Sequence, residues 1–436
     1  MDWREHYKSH LTSAAEAVNL IKSGDRVCVH HACAEPTALI DAMVANAAAY
    51  RHVEIVHMVP MGTSPYCAPG MEEHFIHNCV FAGGSTRKAL AEGRADYTPI
   101  FFHQFPDLLR TELVPDVALV HVCPPDEHGY CSMGVSIDYS KAGAESAKTV
   151  IAQVNPNMPR TLGDTFIHVS KFAAIVEVDS PIIELPAPKL SDVEMNIGEH
   201  CASLINDGDT LQLGIGAIPD AVLRFLTEKK DLGIHSEMFS DGVVELIEAG
   251  VVNNSKKTYH PGLCVVNFLM GTRKLYDYVH NNPAVYMAGV DYVNHPLVIA
   301  KNDNLVSINS CVQVDLQGQI VSSSAGLKQI SGIGGQADFV RGAAYSKGGR
   351  SIMAFPSIAK GGISKIVPFI DEGSSVSTLR EDADYIVTEY GIAAMHGASL
   401  RQRAQRLIAI AHPDVRAQLQ EEYERRFATL DAIDRN

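Results

Sequence analysis

The segment LIKSGDRVCVHHACAEPTAL (20–39) recurs, with one gap, as LINDGDTLQLGIGAIPDAV (204–222). The second copy reads as strand, tight turn, then helix. Gly214 and Gly216 can take backbone conformations closed to other residues, and Pro219 suits the first turn of a helix. Two more pairs follow in the same order. VEIVHMVPMG, ending at Gly62, lies over GIHSEMFSDG, ending at Gly242, and GSTRKAL at Gly84 lies over MGTRKLY at Gly271. Three matched segments in one order predict an internal duplication.

Outward from these segments, short apolar runs such as VALVHVC, TVIAQV and AAIVEV alternate with helical patterns. That alternation predicts an α/β protein with mainly parallel sheets flanked by helices. The proline-punctuated IIELPAPKLSD (182–192) is the expected linker between a domain at 1–185 and a second at 186–436. The chain's end reads as two helices broken at His412-Pro413-Asp414, the first with an apolar face of Leu400, Ala404, Leu407, Ile408 and Ala411.

The 436 residues are 46% hydrophobic and 20% charged, the composition of a globular protein. A formal net charge of −15 without any Lys/Arg block argues against nucleic acid or an anionic membrane as partner. The start, MDWREHYKSH, lacks an apolar core, and no apolar run reaches the roughly eighteen residues of a membrane span. Nine scattered cysteines without CxxC read as reduced thiols, so a cytoplasmic location is expected. His74, His77 and Cys79 lack a fourth zinc ligand at a standard spacing, and HExxH is absent, so no metal is expected. Neither a Walker A pattern nor a G-x-S-x-G elbow occurs.

Glu237 stands in the middle of GIHSEMFSDG, with no Lys or Arg among the neighbouring residues. In the alignment of the halves His57 falls where Glu237 stands, while Met58 matches Met238. The scaffold is shared and the carboxylate is not. By itself Glu237 reads as a solvated loop charge, a ribose ligand or a nucleophile. A dinucleotide fingerprint places an acid about twenty positions after G-x-G-x-x-G, but here Pro219 replaces the third glycine. A second glycine-rich loop, SGIGGQADFVRG (331–342), permits backbone contact with a ligand, and Gln336 and Asp338 are candidates to fix a polar group. Lys328, Arg341, Lys347, Arg350, Lys360 and Lys365 surround it in sequence, as an anion pocket or an ordinary charged surface.

AEPTALIDAMVANAAAY, PPDEHGYCSMGVS, ASLINDGDTLQLGIGAIPDAV, GIHSEMFSDGVVELIEAG, INSCVQVD, KQISGIGGQADFVRG and ADYIVTEYGIA together span nearly the whole chain. In that set the chain resembles the acetyl-CoA hydrolase/transferase family of CoA-transferases. The resemblance implies two related α/β domains, Glu237 as the catalytic glutamate, and a turn of Gly214, Ile215, Gly216, Ala217 and Ile218 that holds coenzyme A and supplies an oxyanion hole. It also implies coenzyme A contacts at Gly335, Val312 and Lys360, and an acyl or carboxylate pocket at Asn309 and Glu389. The implied activity moves CoA between a short-chain acyl-CoA and a free carboxylate, 4-hydroxybutyrate foremost, with acetyl-CoA or butyryl-CoA; transfer between butyryl-CoA and acetate, or hydrolysis of acetyl-CoA, is the alternative within the family. Coenzyme A is then a substrate, no tightly bound cofactor is expected, and a homodimer or larger homo-oligomer is implied.

Overall fold

A computed structural model describes residues 2–434. The first half forms one sheet of seven strands: β1 (Arg26–Val29), β2 (Val53–His57), β3 (Phe75–Cys79), β4 (Ala95–Tyr97), β5 (Val117–Val122), β6 (Thr149–Val154) and β7 (Phe172–Glu177). Their order is β4-β3-β2-β1-β5-β6-β7, and every pairing is parallel. β5, VALVHV, is buried at all positions. A central strand of a parallel sheet covered on both faces has no solvent side, which is why its sequence is a continuous apolar run.

The second half repeats this plan. The strands that build it include β8 (Thr210–Leu213), β9 (Gly233–Ile234), β10 (Met238–Phe239), β11 (Cys264–Val266), β12 (Phe268–Leu269), β13 (Val285–Met287), β14 (Leu305–Asn309), β15 (Arg350–Ala354), β16 (Tyr385–Thr388) and β17 (Gly391–Ala394). β8 lies between β9 and β14, followed by β15 and β16, all in parallel. β11 pairs in parallel with β13, and a bridge from His235 to Val265 ties that pair to β9. From β13 through β11, β9, β8, β14 and β15 to β16, the order reproduces β4-β3-β2-β1-β5-β6-β7. β17 is an antiparallel addition at the edge. The duplication expected from the sequence is thus present as repeated topology.

The two halves differ where their roles differ. In the first half β2 runs unbroken to His57. Its counterpart is interrupted between β9 and β10, and Glu237 occupies the break. At the chain's end, a helix from Leu400 to Ile410 and another from Pro413 to Asp434 meet at the expected break, with Ala404, Leu407, Ile408 and Ala411 buried. Among the described residues no helix is long and apolar enough to cross a membrane.

Several histidines are buried in the cores. Burial pushes His30 and His77 down to about 4, and His121 and His235 down to about 3. These values lie below that of an unfolded histidine, so folding holds the rings neutral. Their contribution to stability is complete above pH 6.5 and is lost as pH falls toward 4. At pH 5 each group is expected to cost about 2 kcal/mol relative to neutral pH. Burial also raises the carboxyls of Glu35, Asp209, Asp220, Glu237 and Asp384, which act in the opposite direction, while buried His57 is lowered with the other four histidines. Calorimetry should show the melting temperature falling below pH 6.5 as the histidines charge; a flat profile down to pH 5 would contradict this account.

Candidate active site

Glu237 is held by its backbone on both sides of the strand break. The Ser236 hydroxyl donates to the Leu213 carbonyl at 3.1 Å and accepts from the Leu213 N–H at 3.3 Å. β10 reverses direction relative to β8 through the pair Leu213 and Met238. From the other side, the N–H groups of Asn267 and Phe268 both donate to the Glu237 carbonyl, at 3.1 and 3.2 Å. The side chain therefore emerges at the carboxyl ends of the parallel strands, the edge where α/β sheets bind ligands.

There it borders a cavity of ≈ 250 Å³. The second half contributes Gly214, Ile215, Asn309, Gly334 and Gly335, and the first half contributes His31, Met58 and Phe81. The walls are related by the duplication. His31 is the counterpart of Ile215 and Met58 that of Met238, and all four line the cavity.

The carboxylate opens to the cavity and is otherwise enclosed by protein. Burial pushes its carboxyl up to about 7, and the charges of Asp338 and Asp138 add to the rise. Two donors oppose it. Asn294 Nδ2–H reaches Oε2 at 2.7 Å, and the Gly335 N–H also favours the charged form. Asn294 is itself oriented by Asn267, which donates to its Oδ1 at 2.8 Å. Among the described residues lining the cavity there is no Lys or Arg. The result is a basic carboxylate, poorly solvated and without a cationic partner, which suits attack on an electrophilic carbon.

Removing Asn294 should leave the charged carboxylate less stable. Asn294→Ala is expected to move the acid limb of the pH–rate profile to higher pH by about one unit or more, the worth of one charge-assisted hydrogen bond. Stopped assays across pH 5–9 would read this directly, and an unmoved limb would remove Asn294 from the account.

Gly214 and Ile215 face Glu237's cavity, whereas Gly216, at φ +108°, opens onto an adjoining one of ≈ 230 Å³ beside Pro186 and Pro188. Ile215 borders both, so the turn is the partition between them. Ala217 and Ile218 form the first turn of α1 (Ala217–Arg224), whose N-cap, Gly216, supplies no side-chain cap. N–H groups are thus left free near the turn, as an oxyanion site requires. The second glycine loop enters α2 (Gln336–Tyr345) with Gly335 as N-cap. A Cβ on Gly335 would stand 2.0 Å from Glu237 Oε2 and 2.3 Å from Asn294 Nδ2. Only a glycine lets this backbone approach the carboxylate so closely.

Of the other residues singled out in the sequence, Asn309 and Gln336 also line this cavity, while Val312, Lys360 and Glu389 do not. Asn309 lines the cavity and bonds Gln212 Oε1 at 3.2 Å and Ser307 Oγ at 2.8 Å. Val312 is half-buried, its N–H bound to the Val321 carbonyl at 2.7 Å, and it is not part of the cavity lining. Lys360 and Glu389 border a separate cavity of ≈ 610 Å³, in which Glu389 accepts from Ser357 N–H and Oγ–H at 2.8 and 2.6 Å. Gln336 and Asp338 are engaged by protein partners, Thr378 and His103. Of the six basic residues expected around the second glycine loop, four have other surroundings in the structure. Arg350 pairs with Asp209, Arg341 lies over Phe101, and Lys360 and Lys365 border the third cavity. His77 and His74 spend ring nitrogens on the Ile55 and Tyr50 carbonyls, and no metal-ligand cluster occurs among the described residues. Sequence reasoning missed Asn294, Asn267 and His31. None sits in a glycine-rich or acidic motif, although the HH doublet after β1 falls at the aligned position of the GIG turn.

The N-terminal domain of the acetyl-CoA hydrolase/transferase family matches residues 1–185, and its C-terminal domain matches residues 271–423. The chain is 61% identical over 429 residues to 4-hydroxybutyrate coenzyme A transferase of Clostridium kluyveri, covering 98% of this chain and 100% of that one. It is 40% identical to butyryl-CoA:acetate CoA-transferase of Anaerostipes caccae, covering 96% and 97%. The crystal structure of 4-hydroxybutyrate CoA-transferase from Porphyromonas gingivalis superposes with a TM-score of 0.84 at 47% identity, covering 98% of this chain and 100% of that one.

Proposed function

Because this chain belongs to the acetyl-CoA hydrolase/transferase family and is a CoA-transferase, we propose that Glu237 is its nucleophile and that it moves CoA between acetyl-CoA or butyryl-CoA and 4-hydroxybutyrate. The observation that carries this reading is the state of Glu237: enclosed, basic, free of any cationic partner, and aimed into a cavity between two glycine loops. The identity to 4-hydroxybutyrate coenzyme A transferase supports the choice of acid.

A Glu237 oxygen attacks the thioester carbonyl of the acyl-CoA. Free N–H groups of the turn Gly214–Ile218 stabilise the oxyanion; losing one such donor typically costs about 3–4 kcal/mol of barrier. CoA thiolate leaves and an acyl–glutamyl anhydride remains. The thiolate then attacks the glutamyl carbonyl, releasing the free acid and forming a glutamyl-CoA thioester. The acceptor carboxylate attacks that thioester, and the same steps in reverse deliver the new acyl-CoA and restore Glu237. The anhydride must be kept from water, which an enclosed apolar cavity favours. In this reading residues 1–185 form one wall of the pocket and residues 186–436 carry the nucleophile.

The test is to expose the enzyme to acetyl-CoA without an acceptor acid, reduce with borohydride and map peptides by mass spectrometry. A CoA-dependent reduction localised to Glu237 is expected. Modification elsewhere, or release of free CoA at the full turnover rate without acceptor, would overturn the reading.

A further inference from the structure

His31 is fully buried, yet it borders the Glu237 cavity. Its Nδ1 pairs with Asp138 Oδ2 at 2.8 Å, and its Nε2 has no hydrogen-bond partner. A buried ring nitrogen left unpaired is costly, and a ligand atom would relieve it. The rest of the Asp138 carboxylate is fully engaged, by Ser136, the Tyr139 N–H, and the N–H and hydroxyl of Ser140. The His31 ring packs edge-on against Phe268 at 4.7 Å, whose own N–H holds the Glu237 carbonyl. His31 is thus fixed in orientation and lines the same cavity as Glu237, from the other half of the chain.

Polarity then decides what it can take. The Asp138 carboxylate accepts the Nδ1 proton, so in the neutral ring Nε2 presents a lone pair. A lone pair repels a carboxylate or a developing oxyanion and accepts from a hydroxyl. The cavity that His31 shares with Glu237 has polar lining at Gln212, Asn309 and Gln336, and apolar lining that includes Met58, Phe81, Phe268 and Met270. The apolar part fits methylenes.

We propose that His31, held by Asp138, is the residue that selects a hydroxylated acyl chain, accepting a hydrogen bond at Nε2 from the hydroxyl at the chain's far end. This rests on Glu237 being the nucleophile and adds the basis of acid selection.

The test compares acceptor acids with acetyl-CoA as donor. For the unaltered enzyme, kcat/KM for 4-hydroxybutyrate should exceed that for pentanoate, its methyl-for-hydroxyl isostere, by about 10–100-fold, the range for one buried hydrogen bond. His31→Ala should lose that preference, the ratio of kcat/KM for 4-hydroxybutyrate to that for pentanoate falling by about 10–100-fold whatever the change common to all acids. Equal preference in the unaltered enzyme, or an equal loss on both acids in the variant, would overturn the proposal; the first arm needs no variant to fold. Labelling of Glu237 by acetyl-CoA separates the two readings. If His31→Ala labels normally but keeps its preference, the hydroxyl assignment fails alone. If the unaltered enzyme does not label, the nucleophile itself is wrong.

Discussion

Glu237→Gln is expected to lower kcat by about 10⁴-fold or more, the usual scale for removing a covalent nucleophile. Gln has the same length and keeps an oxygen for the Asn294 N–H that now reaches Oε2 at 2.7 Å. It also removes a carboxylate that burial disfavours. The variant should therefore fold at least as well as the parent, and its loss of activity belongs to chemistry alone. Glu237→Asp retains the charge but withdraws it by one methylene, and a misplacement of about 1 Å can cost about 10²-fold. Steady-state rates and acetyl-CoA labelling of both variants check the assignment. Near-normal exchange by purified Glu237→Gln would end it.

Gly335→Ala is expected to be the most damaging change of a single methyl group. The new Cβ would stand 2.0 Å from Glu237 Oε2 and 2.3 Å from Asn294 Nδ2, so the carboxylate and its orienting amide must both move. Gly335 has φ −88°, which alanine adopts without strain. The expected outcome is a fall in kcat of about 10²–10³-fold with little change in melting temperature. Gly84→Ala is the matched control, since its Cβ would meet nothing within 4 Å. Kinetics and calorimetry on the pair separate displacement of the nucleophile from general damage; equal activities would show that the close approach of Gly335 is incidental.

Much of the fold was legible because it is periodic and repeated. VALVHV could be read as a covered strand, and LINDGDTLQLG as the echo of LIKSGDRVCVH, since neither inference needs long-range contacts. No local pattern in GIHSEMFSDG marks the break between β9 and β10, because the bonds that hold it, from Ser236 to Leu213 and from Asn267 to the Glu237 carbonyl, are long-range. Asn294 is remote from Glu237 in sequence and sits in VDYVNHP, where nothing marks it. Only the packing of the helix that carries it brings its amide to the carboxylate. Lys360 and Glu389 show the converse. The family resemblance implies that both serve the Glu237 site, but they face a different cavity.

The descent of the two walls from one repeated unit has a further consequence. The nucleophile, its orienting amide and both glycine loops come from one copy, while His31, Met58 and Phe81 come from the other. On the proposed roles, the residue that chooses the acid and the residue that reacts lie in different halves of the chain, although Phe268 and Met270 of the second half also line the pocket. Substitutions in the first copy can then alter the choice of acid without touching the Glu237 carboxylate or the Asn294 amide that orients it.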